Sequence, residues 1–247
     1  MRLAVFGDSH GNAVALEKVA QDILHQSPDA VICLGDIVFR GPQPSECIEI
    51  VESLNPLITI GGNVEDLFSW FPYPGWVPKN MKQQISMRAI EYDRTFLSID
   101  EINWLTQLPT HETFDFNDTQ TEVFHATPTS IHDIVYPWAS LDELDRLSTS
   151  NKTNLSLFGH VHHSFVRNSS NGMIVNPGSA GFSFDRDNRA SYALIDIEKN
   201  QCNVQIRRIE YDIDKVIHIA KERNMPDVQA LEHALRLAVY PYHGINS

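Results

Sequence analysis

Five short apolar runs in this chain each end on a residue able to bind a cation. Arg2 to Gly7 leads into Asp8, Ala30 to Gly35 into Asp36, and Ile58 to Gly62 into Asn63. Thr121 to Phe124 leads into His125, and Leu155 to Gly159 into His160. His10 and His162 follow two residues behind Asp8 and His160. A lone Asp after a strand is ordinarily a helix cap, and a lone His a surface or satisfied core residue. Seven such residues at five run ends are not explained by capping. Two carboxylates, one amide and four imidazoles, with no thiolate, suit two divalent ions, Mn²⁺ first, then Fe, Zn²⁺, Ni²⁺ or Mg²⁺. Asp8 and Asp36 offset only half the charge of two such ions, so the pocket is net positive and attracts a phosphate oxyanion. A carboxylate such as Asp36 can bridge ions roughly 3.5–4 Å apart. A hydroxide between them is a nucleophile near neutral pH, because metals lower the pKa of water from about 15.7 toward ~7.

The elements that must carry these residues are legible from periodicity. The runs are short and rich in Val, Ile and Phe, as buried strands are. Between them, Leu16, Val19, Ala20, Ile23 and Leu24 mark one stripe of a helix over Ala13 to His25, and Cys47, Ile48, Val51 and Leu54 another over Ser45 to Leu54. Ser98 with Glu101, and Ser140 with Glu143, have capping-box spacing. Strand, helix, strand in succession implies a largely parallel sheet flanked by helices. Such sheets bind ligands at the carboxyl ends of their strands, where all seven residues fall.

Residues 64–111 break the pattern, with aromatics and prolines from Phe68 to Pro78 and a helical stretch from Met81 to Phe96. They read as an insertion lying over or beside the strand tips. After His163, the runs Phe165 to Arg167, Met173 to Val175, Ala190 to Asp196 and Asn203 to Arg207 suggest a second sheet packed on the first. Residues 212–247 form a C-terminal helical segment. With no repeat or linker-like stretch, the 247 residues read as a single domain.

Composition narrows the partners. A net charge of −13 argues against long nucleic acid, which needs a basic face. No apolar run approaches the ~18 residues of a membrane span, and the N-terminus lacks the apolar core of a signal peptide. Cys33, Cys47 and Cys202 have no paired spacing, so free thiols and a cytoplasmic location are expected.

The candidate ligands stand in recognisable strings: Gly7-Asp8-Ser9-His10-Gly11-Asn12, Gly35-Asp36-Ile37-Val38-Phe39-Arg40-Gly41-Pro42, Gly62-Asn63-Val64-Glu65 and Gly159-His160-Val161-His162, with His125 before the last. Their order resembles the calcineurin-like metallophosphoesterases. Asn176-Pro177-Gly178-Ser179 and Arg189-Ala190-Ser191-Tyr192-Ala193 are similar to the small bacterial and archaeal phosphodiesterase branch. The resemblance implies an α+β fold, a four-layer α/β/β/α sandwich of two mixed sheets. It also implies that Asp8, His10 and His162 hold one metal, that Asn63, His125 and His160 hold the other, and that Asp36 bridges them. Catalytic roles fall to Asp36, Asn63 and Arg40, and substrate contacts to Arg40, Asn12 and His163.

One departure sets the expected chemistry. Many relatives carry a His after the Asn of the third string, where this chain has Val64. The resemblance gives that His the task of protonating the leaving oxygen, help that typically contributes about 10²–10⁴-fold. Its loss shifts the expectation toward small phosphodiesters or nucleotide phosphoanhydrides, whose leaving groups need less protonation. Alternatives are a dinucleoside polyphosphate hydrolase, a protein Ser/Thr phosphatase drawing on Arg40, and a non-catalytic protein-binding scaffold. The complete ligand set speaks against the last.

Overall fold

A computed structural model describes residues 1–71, 75–150, 153–198 and 201–242. Residues 72–74 of the insertion and 243–247 of the C-terminal segment lie outside it. The first half alternates as expected: β1 (Arg2–Phe6), α1 (Ala13–Gln26), β2 (Ala30–Cys33), α2 (Pro44–Ser53) and the two-residue β3 (Ile58–Thr59). Asn12 caps α1 by accepting from the Ala15 amide at 3.1 Å, and Pro44 opens α2, where its missing N–H costs nothing. The three strands run parallel, with Leu3 opposite Ala30 and Ile32 opposite Ile58.

The insertion holds α3 (Asn63–Trp70), α4 (Met81–Asp93) and α5 (Ile99–Thr106). The Ser98 capping box that starts α5 is present in full. His111, placed at the insertion's end by the sequence reading, is instead the first residue of β4 (His111–Phe116), which pairs antiparallel with β5 (Thr119–Phe124). Asn117 and Asp118 both take positive φ, 51° and 63°, as a two-residue hairpin turn requires. The Asn-Asp pair after alternating Phe114 and Phe116 is the signal that identifies this hairpin.

The chain continues through α6 (Leu141–Asp145), β6 (Leu155–Leu157), β7 (Ser164–Asn168), β8 (Met173–Pro177), β9 (Ala190–Glu198), β10 (Gln201–Ile209), α7 (Ile213–Glu222) and α8 (Val228–Leu237). The sheets are five-stranded and mixed, ordered β10-β9-β1-β2-β3 and β4-β5-β6-β8-β7. The second sheet therefore begins before His163 with the β4–β5 hairpin. Of the later strands only β7 and β8 join it; β9 returns to pair antiparallel with β1, extending the first sheet. The near-continuous burial of β9 explains this placement, since an interior strand covered on both faces carries apolar residues at every position.

Leu3, Val5, Ile32, Leu34, Val123, Leu155, Leu157, Val175 and Ile195 fill the space between the sheets. Helices α1 to α5 cover the first sheet's outer face, with Leu16, Val19, Val51 and Ile90 in one apolar cluster with Phe6 of β1. The second sheet's outer layer is thin: Val135, Ala139, Leu144 and Leu147, from α6 and its flanking loops, pack on Phe124, Phe158 and Ile174. Helices α7 and α8 pack on Val14, Tyr92 and Phe182. No described helix is long and apolar enough to cross a membrane, and all three cysteines are free. Leu157→Ala should lower the free energy of unfolding by about 2–5 kcal/mol, the usual cost of a large-to-small change in a closed core, read from urea denaturation midpoints.

Candidate metal centre

The parallel strands of both sheets deliver their tips to one place. Asp8, His10, Asp36 and Asn63 arrive from the first sheet, and His125, His160 and His162 from the second. The loops after β1 and β2 extend the strand ladder past the strand ends: the Asp8 amide donates to the Gly35 carbonyl at 2.8 Å, and the His10 amide to the Asp36 carbonyl at 3.0 Å. Asn63 opens α3. Bonds across the sheets lock the halves together. The His160 amide donates to the Asp8 carboxylate at 3.2 Å, and the His125 ring to the Leu34 carbonyl at 2.7 Å.

The donor atoms form two groups that share Asp36: Asp8, His10, Asp36 and His162, and Asp36, His125 and His160. Within them His10 Nε2 lies 3.1 Å from His162 Nε2, and His162 Nε2 lies 3.3 Å from an Asp8 oxygen. Asp36 Oδ2 stands 3.5 Å from His10 Nε2 and 3.4 Å from His125 Nε2. Asn63 Oδ1 is 3.2 Å from His125 Nε2. Asp36 Oδ1 is turned aside to accept the Val64 amide at 3.0 Å.

Tautomers decide what this geometry means. His10 Nδ1 faces the Phe39 carbonyl at 3.2 Å, His162 Nδ1 the Phe182 carbonyl, and His125 Nδ1 the Leu34 carbonyl. A carbonyl only accepts, so each Nδ1 carries the hydrogen and each neutral ring turns a bare Nε2 lone pair inward. Acceptors then face acceptors: imidazole against imidazole, and imidazole against carboxylate and amide oxygen. Only positive charge between them satisfies such a cluster, so these residues fit metal ions. Without metal, a proton on the His125 ring supplies that charge. Burial alone would depress His125, but the charges of Asp36 and Asp8 and the Leu34 carbonyl raise its pKa to about 10. Burial lowers His10 to about 4, and burial with the neighbouring His125 lowers His160 to about 4. Burial would raise Asp36, yet the surrounding imidazoles hold it well below the usual carboxylate range.

Strain concentrates here too. Asp8, His10, Asp36, His160 and His162 all have φ between 47° and 67°. Left-handed backbone costs an L-residue about 1–2 kcal/mol, and such outliers persist where surrounding structure over-determines them. Two glycines let the walls close. A Cβ on Gly62 would stand 2.2 Å from Asp36 Oδ1 and 2.8 Å from His125 Nδ1, and one on Gly159 2.6 Å from Asp8 Oδ2.

Several supports were not among the candidates read from sequence. Buried Glu65 accepts the Asp36 and Gly62 amides on one oxygen, at 2.9 and 2.7 Å, and the Ile37 amide on the other, at 2.8 Å. It holds the bend carrying Asp36 against α3. Burial and the Asp36 charge push its pKa up to about 7. Ser179 donates to the Asp8 carbonyl at 2.7 Å, and Asn176 to the Gly159 carbonyl at 2.6 Å. The Asn-Pro-Gly-Ser string thus braces both ligand loops.

The remaining candidates lie around this centre. Asn12 is 1% exposed; besides capping α1, it donates to the Gly181 carbonyl at 2.7 Å, so its side chain is spent on structure rather than offered to a substrate. The Arg40 guanidinium lies between the Phe39 and Tyr242 rings, 4.9 and 5.0 Å from their centroids, and its buried Nε has no partner among the described residues. It borders a crevice walled by Tyr92, Phe182, Asp227 and Tyr242. His163 points its Nδ1 at the Val161 carbonyl, 2.6 Å away, and its ring at Tyr136 and Trp138. The Val64 side chain is buried in the core beneath the helices.

Residues 1–200 match the calcineurin-like phosphoesterase superfamily domain. The chain belongs to that superfamily. It is 26% identical over 240 residues to an uncharacterised protein of Methanocaldococcus jannaschii, covering 91% of this chain and 94% of that one. Its fold is similar to a metallophosphoesterase from Sphaerobacter thermophilus, with TM-score 0.69 and 25% identity over 97% of this chain and 100% of the other. A hypothetical protein of Pyrococcus horikoshii superimposes with TM-score 0.81 at 19% identity over 97% and 98% of the two chains. The family implies divalent ions, which the donor set above suits.

Two outcomes follow. Gly62→Ala, whose new methyl meets Asp36 and His125, should weaken Mn²⁺ binding at least tenfold by calorimetry, in keeping with disturbed ligand supports, while circular dichroism stays unchanged. Metal-stripped protein should lose stability as pH rises above about 6.5. Below that, unfolded His10 and His160, with ordinary pKa values of about 6.5, take up protons the folded state refuses until about pH 4. Above it, the contribution of His125 fades as pH rises toward 10, because only the folded chain keeps that proton. Glu65, protonated in the folded chain up to about pH 7, and Asp93, whose carboxyl burial pushes well above the usual range, oppose that acid-side loss. Melting temperatures of wild type and His125→Asn across pH 5–10 check this: the variant should show a shallower alkaline decline.

Proposed function

We propose that the chain is a two-metal phosphoesterase that hydrolyses small phosphodiesters or nucleotide phosphoanhydrides. The observation that carries this is the Asp36 carboxylate, whose Oδ2 stands between two donor groups while Oδ1 is tied to the Val64 amide. In this reading Asp8, His10 and His162 hold one ion, Asn63, His125 and His160 the other, and Asp36 both. Two divalent ions would supply Lewis acidity toward phosphate oxygens and a water acidified to a pKa near ~7. The chain's own residues do the rest. Their backbone carbonyls fix the histidine tautomers, and Glu65 keeps the Asp36 loop at its depth. The two carboxylates leave the loaded site net positive, so a phosphate is drawn into an otherwise acidic protein.

Preference for diesters and anhydrides rests on Val64. Its apolar side chain sits in the core, so nothing at that position can protonate a leaving oxygen. Glu65 beside it is bound up with three backbone amides. Arg40 is the residue of the crevice suited to clamp a phosphate through paired N–H donors, once Tyr242 moves off its guanidinium.

Metal-stripped protein reloaded with Mn²⁺ should hydrolyse bis-p-nitrophenyl phosphate faster than p-nitrophenyl phosphate, and Asp36→Asn should lose at least a hundredfold in kcat/KM. A monoester preference would overturn the diester reading. No turnover with Mn²⁺, Fe²⁺, Zn²⁺, Ni²⁺ or Mg²⁺, despite bound metal, would overturn the enzyme reading in favour of a scaffold.

A further inference from the structure

The loop after β5 and the loop after β6 supply His125, His160 and His162 to the metal centre. The same two loops also build a feature the phosphate chemistry does not use. Tyr136 and Trp138 stack with centroids 4.8 Å apart and planes 13° from parallel. His163, peptide-bonded to His162, stands edge-on to both, 5.6 Å from Tyr136 and 5.7 Å from Trp138. Trp138 is 71% exposed and Tyr136 36%. Tyr136 covers one face of the indole, so much of the other is open to solvent.

A single exposed aromatic is ordinary. This group differs in being rigidly mounted. Val135 and Ala139, on either side of the rings in sequence, are buried against the second sheet's outer face. Arg167 on β7 reaches under the loop and donates to the Pro137 and Ala139 carbonyls at 2.9 and 2.6 Å. The Ala139 amide closes a turn on the Tyr136 carbonyl at 3.0 Å. The Val161 carbonyl fixes the His163 ring through Nδ1, leaving Nε2 free of that bond. Rings held in place before a ligand arrives lose little freedom on stacking, so contact area converts efficiently into affinity.

We infer that Trp138, braced by Tyr136 and His163, is a stacking subsite for a planar aromatic group joined to the phosphate that the metal centre binds. The inference rests on the phosphoesterase reading and names the substrate class: a phosphoester bearing a nucleobase or another aryl ring. The two parts of the site are complementary. The cation-loaded centre takes the anionic end, while an open indole face accepts any flat π system regardless of its hydrogen-bonding pattern. Placement supports the pairing, because the ring of residue 163 and the ligand of residue 162 leave adjacent positions of one loop.

Calorimetric titration of the Mn²⁺-loaded full chain tests this with four probes: adenosine 5′-monophosphate, phenyl phosphate, ribose 5-phosphate and inorganic phosphate. Trp138→Ala should weaken the first two about tenfold, within the range that removing a stacking ring costs, and leave the last two unchanged. Trp138→Phe, which keeps a ring, should recover most of the loss. KM for bis-p-nitrophenyl phosphate should rise in Trp138→Ala with kcat nearly constant. Weakening confined to the adenosine probe identifies the group as a nucleobase, and weakening confined to the phenyl probe as a smaller aryl ring. Equal affinity of wild type and Trp138→Ala for both aromatic probes would overturn the inference, as would an equal loss for inorganic phosphate. Wild-type protein that binds no phosphate and cleaves no ester would instead overturn the phosphoesterase reading beneath it.

Discussion

The organising constraint of this protein is a cluster of lone pairs aimed at one another. Three backbone carbonyls, those of Phe39, Phe182 and Leu34, hold the Nδ1 hydrogens of His10, His162 and His125. The Nε2 atoms have nowhere to point but inward, toward each other and toward Asp8, Asp36 and Asn63. Such an arrangement repels itself until positive charge enters. The fold therefore has to hold its tips together by other means, and much of the surrounding structure serves that end.

The means are backbone bonds and small residues. Ladder bonds run on past β1 and β2, and side chains stitch one sheet's loops to the other's, with Ser179 on the Asp8 carbonyl and His160 on the Asp8 carboxylate. Five ligand residues sit in left-handed backbone, which turns each side chain sharply into the cleft. Strain of that kind is tolerated because apolar cores between the sheets and beneath the helices fix both ends of every ligand loop. Gly62 and Gly159 keep the walls close enough for the donors to meet, and a side chain at either position would wedge them apart.

Around this rigid centre stand the proposed substrate contacts. On the first-sheet side, Arg40 lies under Tyr242, so the C-terminal segment reaches the edge of the cleft, and Phe184 from the loop before β9 stacks on His162 with centroids 4.3 Å apart. On the second-sheet side stands the Trp138 platform. Val64, buried and apolar, removes from the centre a group that could hand over a proton.

The seven donor residues were legible in the sequence, because five directly follow a short apolar run, His10 and His162 stand two residues beyond such an end, and strand tips are where parallel sheets expose polar groups. Helices α1 and α2 and both capping boxes were legible for similar local reasons, their signals lying within one or two helical turns. The β4–β5 hairpin was readable from Asn117-Asp118 but masked by the helical insertion before it. Which strand joins which sheet was not local information. Ala190 to Asp196 reads as a strand anywhere, and only pairing with β1 across nearly two hundred residues placed it in the first sheet. The same holds for the roles of Glu65, Ser179 and Asn176, whose partners are backbone groups remote in sequence or brought close by folding. Residue type and spacing determined the chemistry the chain can support. The tertiary structure decided how donors from two sheets meet at one carboxylate, and which aromatic rings stand beside them, because those distances depend on sheet pairing and packing rather than on any local pattern.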